Sequence, residues 1–212
     1  MRGILLDRDG VINRERADYV KCWAEFEFLP GVLDSLKRLA SLAVPIMVIT
    51  NQSVIGRKIV GRHVVDEIHR KAKKQIDAAG GRIDGFFLCP HHPDEQCGCR
   101  KPQPGLLQQA SAFFDVTLSQ SVFVGDAITD YQAAIAAGCQ SILVESGRQG
   151  RQLHSHFSQD DEYNNNNITA FLSEAPQSQF SNPTTKPPIV RDLSAAVDLI
   201  LQSPPSSSLL AT

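Results

Sequence analysis

Gly3-Ile4-Leu5-Leu6-Asp7-Arg8-Asp9-Gly10 is an apolar run that stops abruptly on two carboxylates. A short, uninterrupted apolar run reads as a strand buried on both faces, and its end at a charged loop is where chemistry is expected. Four further runs have the same character. Pro45 to Ile49 closes on Thr50-Asn51-Gln52-Ser53, Ile83 to Leu88 runs into Cys89, Ser121 to Val124 ends at Gly125-Asp126, and Ser141 to Val144 is the fifth. Between them, Pro30 to Ala40, Val60 to Ala79, Pro104 to Phe114 and Tyr131 to Ala137 carry apolar residues at helical spacing. Strands alternating with helices over residues 3–147 predict the α/β class, a doubly wound, three-layer, Rossmann-like parallel sheet. Such sheets bind ligands beyond the carboxyl ends of their strands, and here those ends carry Asp7, Thr50, Cys89 and Asp126.

Beyond Gly147 the pattern dissolves. Gln149, Gln152, the run Asn164 to Asn167, Ser178, Ser181 and Pro183 mark a low-complexity insertion over 148–188, expected to be a mobile loop. Asp192 to Leu201 resumes helical spacing, so the domain is expected to comprise 1–147 together with 189–202. The Pro/Ser-rich residues 203–212 read as a flexible tail.

The chain of 212 residues is 42% hydrophobic, enough for one domain with an ordinary core. Twenty-one basic and twenty-three acidic residues give a formal charge of −2, which excludes a global attraction to nucleic acid or an anionic membrane. Any anion must be held by a local site. No run approaches the roughly eighteen apolar residues of a membrane span, and Met1 to Gly10 turns charged too early for a secretory signal. A cytoplasmic monomer acting on a small molecule is expected. Five cysteines, three of them at 89, 97 and 99, read in a reducing compartment as metal ligands or free thiols.

Asp7 and Asp9, two apart at a strand end, can aim both carboxylates at one small volume, where they repel unless a cation intervenes. Mg²⁺ suits such a place, because it accepts a few carboxylate oxygens, keeps waters and leaves room for a phosphate oxygen. Asp126 supplies another strand-end carboxylate, and Asp130 could complete the coordination. One carboxylate can then attack phosphorus while a second passes a proton to the leaving oxygen. Thr50-Asn51 offers a hydroxyl, an amide and backbone N–H groups, and Lys101 a compact cation, for the phosphoryl oxygens.

Cys89-Pro90-His91-His92-Pro93-Asp94-Glu95-Gln96-Cys97-Gly98-Cys99 has the spacing C-x-H-x₅-C-x-C. Cys89, His91, Cys97 and Cys99 suit a tetrahedral, structural Zn²⁺ with no open position, since a polar, proline-rich loop buries too little to hold a shape unaided. Spacing favours His91 over His92, which is left to solvent or substrate. Cys22 and Cys139 read as packing residues.

Asp7-Arg8-Asp9-Gly10-Val11-Ile12-Asn13, the strand ending in Thr50, Lys101, and Val124-Gly125-Asp126 with Asp130 resemble, in order, the four motifs of the haloacid-dehalogenase-like phosphatases. The resemblance covers roughly residues 3 to 147. It implies an aspartyl-phosphate mechanism with Asp7 as nucleophile and Asp9 as general acid, then base. Thr50 and Lys101 would hold the phosphoryl group, and Mg²⁺ would be held by Asp7, Asp126 and the backbone carbonyl of Asp9. Within that family the cysteine string leading into Arg100-Lys101-Pro102-Gln103-Pro104-Gly105 looks like the heptose bisphosphate phosphatases and, less closely, the histidinol phosphatases. The implied fold is the α/β sheet with a zinc-stabilised loop and no large cap domain. The implied substrate is D-glycero-D-manno-heptose 1,7-bisphosphate, with Asn51 and Lys101 binding it and Arg100 holding its distal part. Two departures touch specificity: Arg14 to Tyr19 is one residue longer than the pattern, and Ala127 stands where a lysine is common. The readings that compete are a histidinol-phosphate phosphatase and a zinc-stabilised binding module without catalysis.

Overall fold

The computed structural model describes residues 1–148, 150–157 and 186–202. Six strands, β1 (Ile4–Leu6), β2 (Ile46–Asn51), β3 (Gly85–Cys89), β4 (Val122–Gly125), β5 (Gln140–Val144) and β6 (Ile189–Val190), form one sheet in the order β3-β2-β1-β4-β5-β6. All neighbouring pairs are parallel. The helices are α1 (Val32–Leu39), α2 (Ser53–Gly56), α3 (Arg62–Ala78), α4 (Gly105–Phe114), α5 (Ile128–Ala137), α6 (Gly150–Phe157) and α7 (Leu193–Gln202).

The strand runs are continuous in apolar residues because each serves two cores by alternation. Ile4, Leu6, Ile46, Val48, Val122 and Val124 face a core shared with Leu36 and Leu39 of α1, Ile68 and Ile76 of α3, and Val197 and Ile200 of α7. The residues between them, Leu5, Met47, Ile49 and Phe123, face the opposite core with Leu106, Leu107 and Ala110 of α4 and Ala133 and Ala134 of α5. The three expected layers follow.

The chain builds outward from β1 through β2 to β3, then returns to the other side of β1 with β4. The switch point therefore lies between β1 and β4, where Leu6 pairs with Val124 and the Asp7 N–H donates to Val124 O at 2.8 Å. That is where an open parallel sheet leaves a crevice. Among the described residues, the segments that lead into α1 and α4 add only short 3-10 turns at Trp23–Glu25 and Pro93–Glu95, and no cap domain is present.

A helix stands at the start of the expected insertion and a strand just past its end, inside the expected domain segment 189–202. Residues 150–157 form α6, with Leu153 fully buried, and β6 pairs with β5 through Leu143 N to Pro188 O at 2.8 Å and Glu145 N to Val190 O at 2.9 Å. A two-residue strand and an eight-residue helix with a mostly polar sequence are too short for periodicity to register. The expected mobile loop falls mostly on 158–185, and the flexible tail on 203–212; both lie outside the described residues. Helix α5 starts three residues before Tyr131, which puts Asp130 in its first turn.

Candidate active site

Three strand ends and one loop deliver the candidate residues to one place. Asp7 follows β1, Thr50 and Asn51 end β2, Asp126 follows β4, and Lys101 arrives on the loop after β3. Asp7, Thr50, Lys101, Asp126 and Asp130 are all buried. Lys101 Nζ lies 2.7 Å from Asp7 Oδ1 and 2.6 Å from Asp130 Oδ1, and it donates to Ile49 O at 3.1 Å. The second oxygen of Asp130 accepts the backbone N–H groups of Asp126 at 3.0 Å and Ala127 at 3.1 Å, so this carboxylate ties the N-terminus of α5 to the lysine.

Asp7, Asp126 and Asp130 each place a carboxylate oxygen within 4.8 Å of the others. Three carboxylates against one ammonium leave the group short of positive charge. Burial pushes Asp7 up to about 7, with Asp130 and Asp9 adding repulsion against the pull of Lys101. Asp126 is driven well above the usual carboxylate range by burial and then by Asp130, Asp7 and Glu15. Burial opposes the charge of Lys101, but Asp130 and Asp7 outweigh it and raise its proton affinity. With Asp130 occupied by Lys101 and backbone donors, Asp7 and Asp126 are the carboxylates free to bind a divalent cation, and an oxygen-only donor set suits Mg²⁺. Glycines make room for this arrangement: a Cβ on Gly10, whose φ is +87°, or on Gly147 would collide with the Asp126 carboxylate.

The carboxylate of Asp9 stands apart from that cluster. It accepts from Arg8 Nη2 at 2.8 and 2.9 Å, from Asn13 Nδ2 at 2.9 Å and from Gln52 Nε2 at 2.8 Å. Burial would raise its pKa, yet the Arg8 charge and these hydrogen bonds outweigh burial and hold it below the usual range. Gln52 Nε2 also donates to Thr50 Oγ1 at 2.9 Å, linking the two expected catalytic residues. Asn51, expected to bind substrate, uses its side chain on Lys101: Nδ2 donates to Lys101 O and Oδ1 accepts Lys101 N, both at 3.1 Å.

Arg100 precedes Lys101, and its Nη1 is buried with no hydrogen-bond partner among the described residues, a donor aimed at no protein acceptor. Composition offered no signal for Arg8, Gln52 or His69, which the structure buries beside the site.

The cysteine loop closes on itself. Cys89 Sγ lies 3.5 Å from Cys97 Sγ and from His91 Nδ1, Cys99 Sγ lies 3.5 Å from Cys97 Sγ, and His91 Nδ1 lies 3.2 Å from Cys99 Sγ. A tetrahedron with Zn–S bonds of about 2.3 Å has edges of about 3.7 Å, so the four atoms are spaced to surround one zinc ion. In the protein alone the sulfurs disturb one another. Burial and the neighbouring sulfurs drive Cys99 up to about 12, whereas hydrogen bonds from Cys99, Cys89 and the backbone overcome burial and bring Cys97 down to about 7. A bound Zn²⁺ would hold all three as thiolates. His92 caps the 3-10 turn instead: its Nδ1 accepts Asp94 N at 3.3 Å, and its own N–H donates to Glu95 Oε1 at 2.6 Å. Cys139 is buried and donates to Ser121 O at 3.2 Å, as a packing residue would, whereas Cys22 is exposed.

Comparison with known proteins agrees with this geometry. A family model described as HAD-hydrolase-like matches residues 98–171. The chain is 39% identical over 150 residues to the D-glycero-beta-D-manno-heptose-1,7-bisphosphate 7-phosphatase of Pseudomonas aeruginosa, covering 71% of this chain and 84% of that one. It is 42% identical over 161 residues to the D-glycero-alpha-D-manno-heptose-1,7-bisphosphate 7-phosphatase of Mycobacterium tuberculosis, covering 73% and 85%. Among solved structures, D,D-heptose 1,7-bisphosphate phosphatase from B. bronchiseptica, complexed with magnesium and phosphate, superposes with a TM-score of 0.79 at 32% identity, covering 96% of this chain and 100% of that one.

Proposed function

The chain belongs to the heptose-1,7-bisphosphate 7-phosphatases among the HAD-like hydrolases, and from that membership we propose how its residues remove the 7-phosphate of a D-glycero-D-manno-heptose 1,7-bisphosphate. It is a magnesium-dependent phosphatase. The observation that carries the reading is the buried group in which Lys101 Nζ touches Asp7 and Asp130, with Asp126 within ligand distance. A transferring phosphoryl group needs a nucleophile, cations around its oxygens and a proton for the leaving group, and this site offers all three.

Asp7 attacks phosphorus, the bond from phosphorus to the sugar oxygen breaks, and that oxygen takes a proton from Asp9 in its acid form. Asp9, now a carboxylate, takes a proton from water as the water oxygen attacks the phosphoaspartate. The bond from phosphorus to Asp7 breaks, inorganic phosphate leaves, and both aspartates return to their starting forms. The Arg8 clamp favours the ionised Asp9 needed in the second half, and the negative charge of bound substrate raises its proton affinity for the first. Thr50, the backbone of Asn51 and Lys101 hold the phosphoryl oxygens, and Arg100 takes the second phosphate with its free donor. Asp7, Asp126 and the backbone carbonyl of Asp9 would hold Mg²⁺, which when bound offsets charge on the phosphoryl oxygens. Cys89, His91, Cys97 and Cys99 would hold a structural Zn²⁺ that fixes Arg100 and Lys101 beside the site.

The named groups form a complete set within one chain, so a monomer would suffice for the reaction. Thiolate zinc ligands suit a reducing compartment, which supports the cytoplasm. No helix among the described residues is long and apolar enough to cross a membrane. The test is magnesium-dependent phosphate release by the purified enzyme from both anomers of the heptose bisphosphate and from histidinol phosphate. Faster turnover of a heptose bisphosphate is expected; equal or faster turnover of histidinol phosphate, or no turnover, overturns the reading.

A further inference from the structure

Behind the acid cluster the protein buries a second line of polar groups. Arg8 is among its largest fully buried side chains, 1% exposed, and the Ile12 and Asn13 N–H groups fix its backbone by donating to Arg8 O at 2.8 and 3.0 Å. On one side its guanidinium grips both oxygens of Asp9, with Nη2 at 2.8 and 2.9 Å and Nε at 3.1 Å. On the other, Nη1 lies 3.1 Å from His69 Nε2. Arginine can only donate, so His69 Nε2 accepts, and the ring is the neutral tautomer with its proton on Nδ1. The ring of His69, from α3, is stacked on Phe86 of the edge strand β3 at 4.5 Å between centroids and 15° between planes. A continuous chain of contacts thus runs from the sheet edge through His69 and Arg8 to Asp9.

We propose that His69 is a positioning residue for the phosphatase reaction: by accepting from Arg8 Nη1 it fixes the guanidinium, and through it the Asp9 carboxylate. The guanidinium is planar, so holding one nitrogen sets the direction of the other two. Packing alone would be met by any ring stacked on Phe86. What His69 adds is an acceptor for a buried donor that otherwise has none on that side. The inference rests on the reading of Asp9 as acid and base.

The test separates acceptor from ring. His69→Phe keeps the stack and removes the acceptor; His69→Gln places a carbonyl oxygen near the former Nε2 and gives up the ring. Two substrates separate proton delivery from general damage: the heptose bisphosphate, whose alkoxide leaves only with a proton, and p-nitrophenyl phosphate, whose phenolate leaves without one. In His69→Phe, single-turnover release of the leaving group, which precedes the use of Asp9 as base, is expected to slow roughly tenfold or more on the sugar phosphate with KM within about twofold, and no more than about threefold on the aryl phosphate. His69→Gln is expected to recover most of the loss. An equal fall on both substrates, no fall, or a glutamine variant as slow as phenylalanine overturns the proposal. Asp9→Asn is the control for the underlying reading: if it slows single-turnover release of the leaving group alike from both substrates, Asp9 is not the acid, whatever His69 does. Nitrogen-15 NMR of the imidazole in the wild-type holoenzyme needs no variant to fold. A bare, hydrogen-bonded Nε2 and a protonated Nδ1 are expected, and a cationic ring or a proton on Nε2 overturns the proposal.

Discussion

The chain carries two clusters of side chains able to hold a metal ion, and they are put together in opposite ways. Cys89, His91, Cys97 and Cys99 come from one stretch of eleven residues and sit, apart from Cys89, half-buried in a loop. Asp7, Lys101, Asp126 and Asp130 come from β1, the loop after β3, the end of β4 and the first turn of α5, and all are buried. The first cluster is local, and on the reading proposed above a zinc ion would give it its shape. The second is shaped by the sheet before any cation arrives, because adjacent strands at the switch point hold its carboxylates against their mutual repulsion. A metal that builds structure can be encoded by spacing alone, whereas a metal that does chemistry sits where the fold converges. The two regions are joined at short range: Gln52 N donates to Cys89 O at 2.8 Å, Gly56 N to Pro90 O at 2.8 Å, and Asn51 pairs with the Lys101 backbone.

The sharpest way to break this comparison is Asp7→Asn. It is expected to lower kcat at least about a thousandfold, because it removes the nucleophile. Zinc should stay at about one per chain, and the melting temperature should be unchanged or higher, since one of three crowded carboxylates loses its charge. Loss of zinc or a much lower melting temperature would show that the acid group holds the fold.

Cys99→Ser tests the other side. Elemental analysis should show zinc lost, and calorimetry should show the melting temperature lowered by roughly 5–10 °C. Turnover of the bisphosphate should suffer in KM through Arg100 and in kcat through Lys101, the two residues the knot steadies. A variant that keeps its zinc, or that melts like the wild type, would remove the structural role.

Asn51→Ala cuts the link between the regions. Freed from its two bonds to Asn51, the Lys101 backbone can shift, and kcat should fall about tenfold with zinc content unchanged. Unchanged kcat would mean that the knot positions Lys101 without help.

The smallest effect expected is a pH dependence of stability. His69 faces Arg8, Asp9 and Arg62; burial, then Arg8 and Arg62, hold its pKa down to about 3 against the pull of Asp9. The unfolded histidine titrates near 6.5, so between those values the unfolded state binds one more proton and stability falls as pH falls. Asp7 and Asp126, raised by burial, act in the opposite direction in this window, so the readout is the comparison of two proteins by denaturant unfolding at both pH values: between pH 6.5 and 5.5 the wild type should lose about 1 kcal/mol more than His69→Gln. The same slope in both proteins would place the titration elsewhere.

Much of this molecule was legible in its sequence because a parallel sheet writes itself plainly. Continuous apolar runs such as Ile46 to Ile49 mark strands that serve two cores, and their polar ends mark the site. The grouping of Cys89, His91, Cys97 and Cys99 was legible because the four are close in sequence. Helix α6 and strand β6 were not, being too short and too polar to show a period. The role of Asp130 needed the true start of α5, since only a first-turn position lets its carboxylate reach the N–H groups of Asp126 and Ala127. Gln52 stood only within the polar run that closes β2, and His69 was not singled out on its helix, because nothing local says that Gln52 turns toward Asp9 or His69 toward Arg8.

Spacing along the chain was enough for the three layers, the grouping of Cys89, His91, Cys97 and Cys99, and the acidic residues at strand ends. Only the tertiary structure decided how those acids divide. It set Asp130 against Lys101, left Asp7 and Asp126 with oxygens for a cation, and turned Asp9 toward Arg8, Asn13 and Gln52. The physical reason is that charges buried together interact strongly only at contact distance, and contact between residues 7, 101 and 130 exists only after the sheet has brought β1 and β4 side by side.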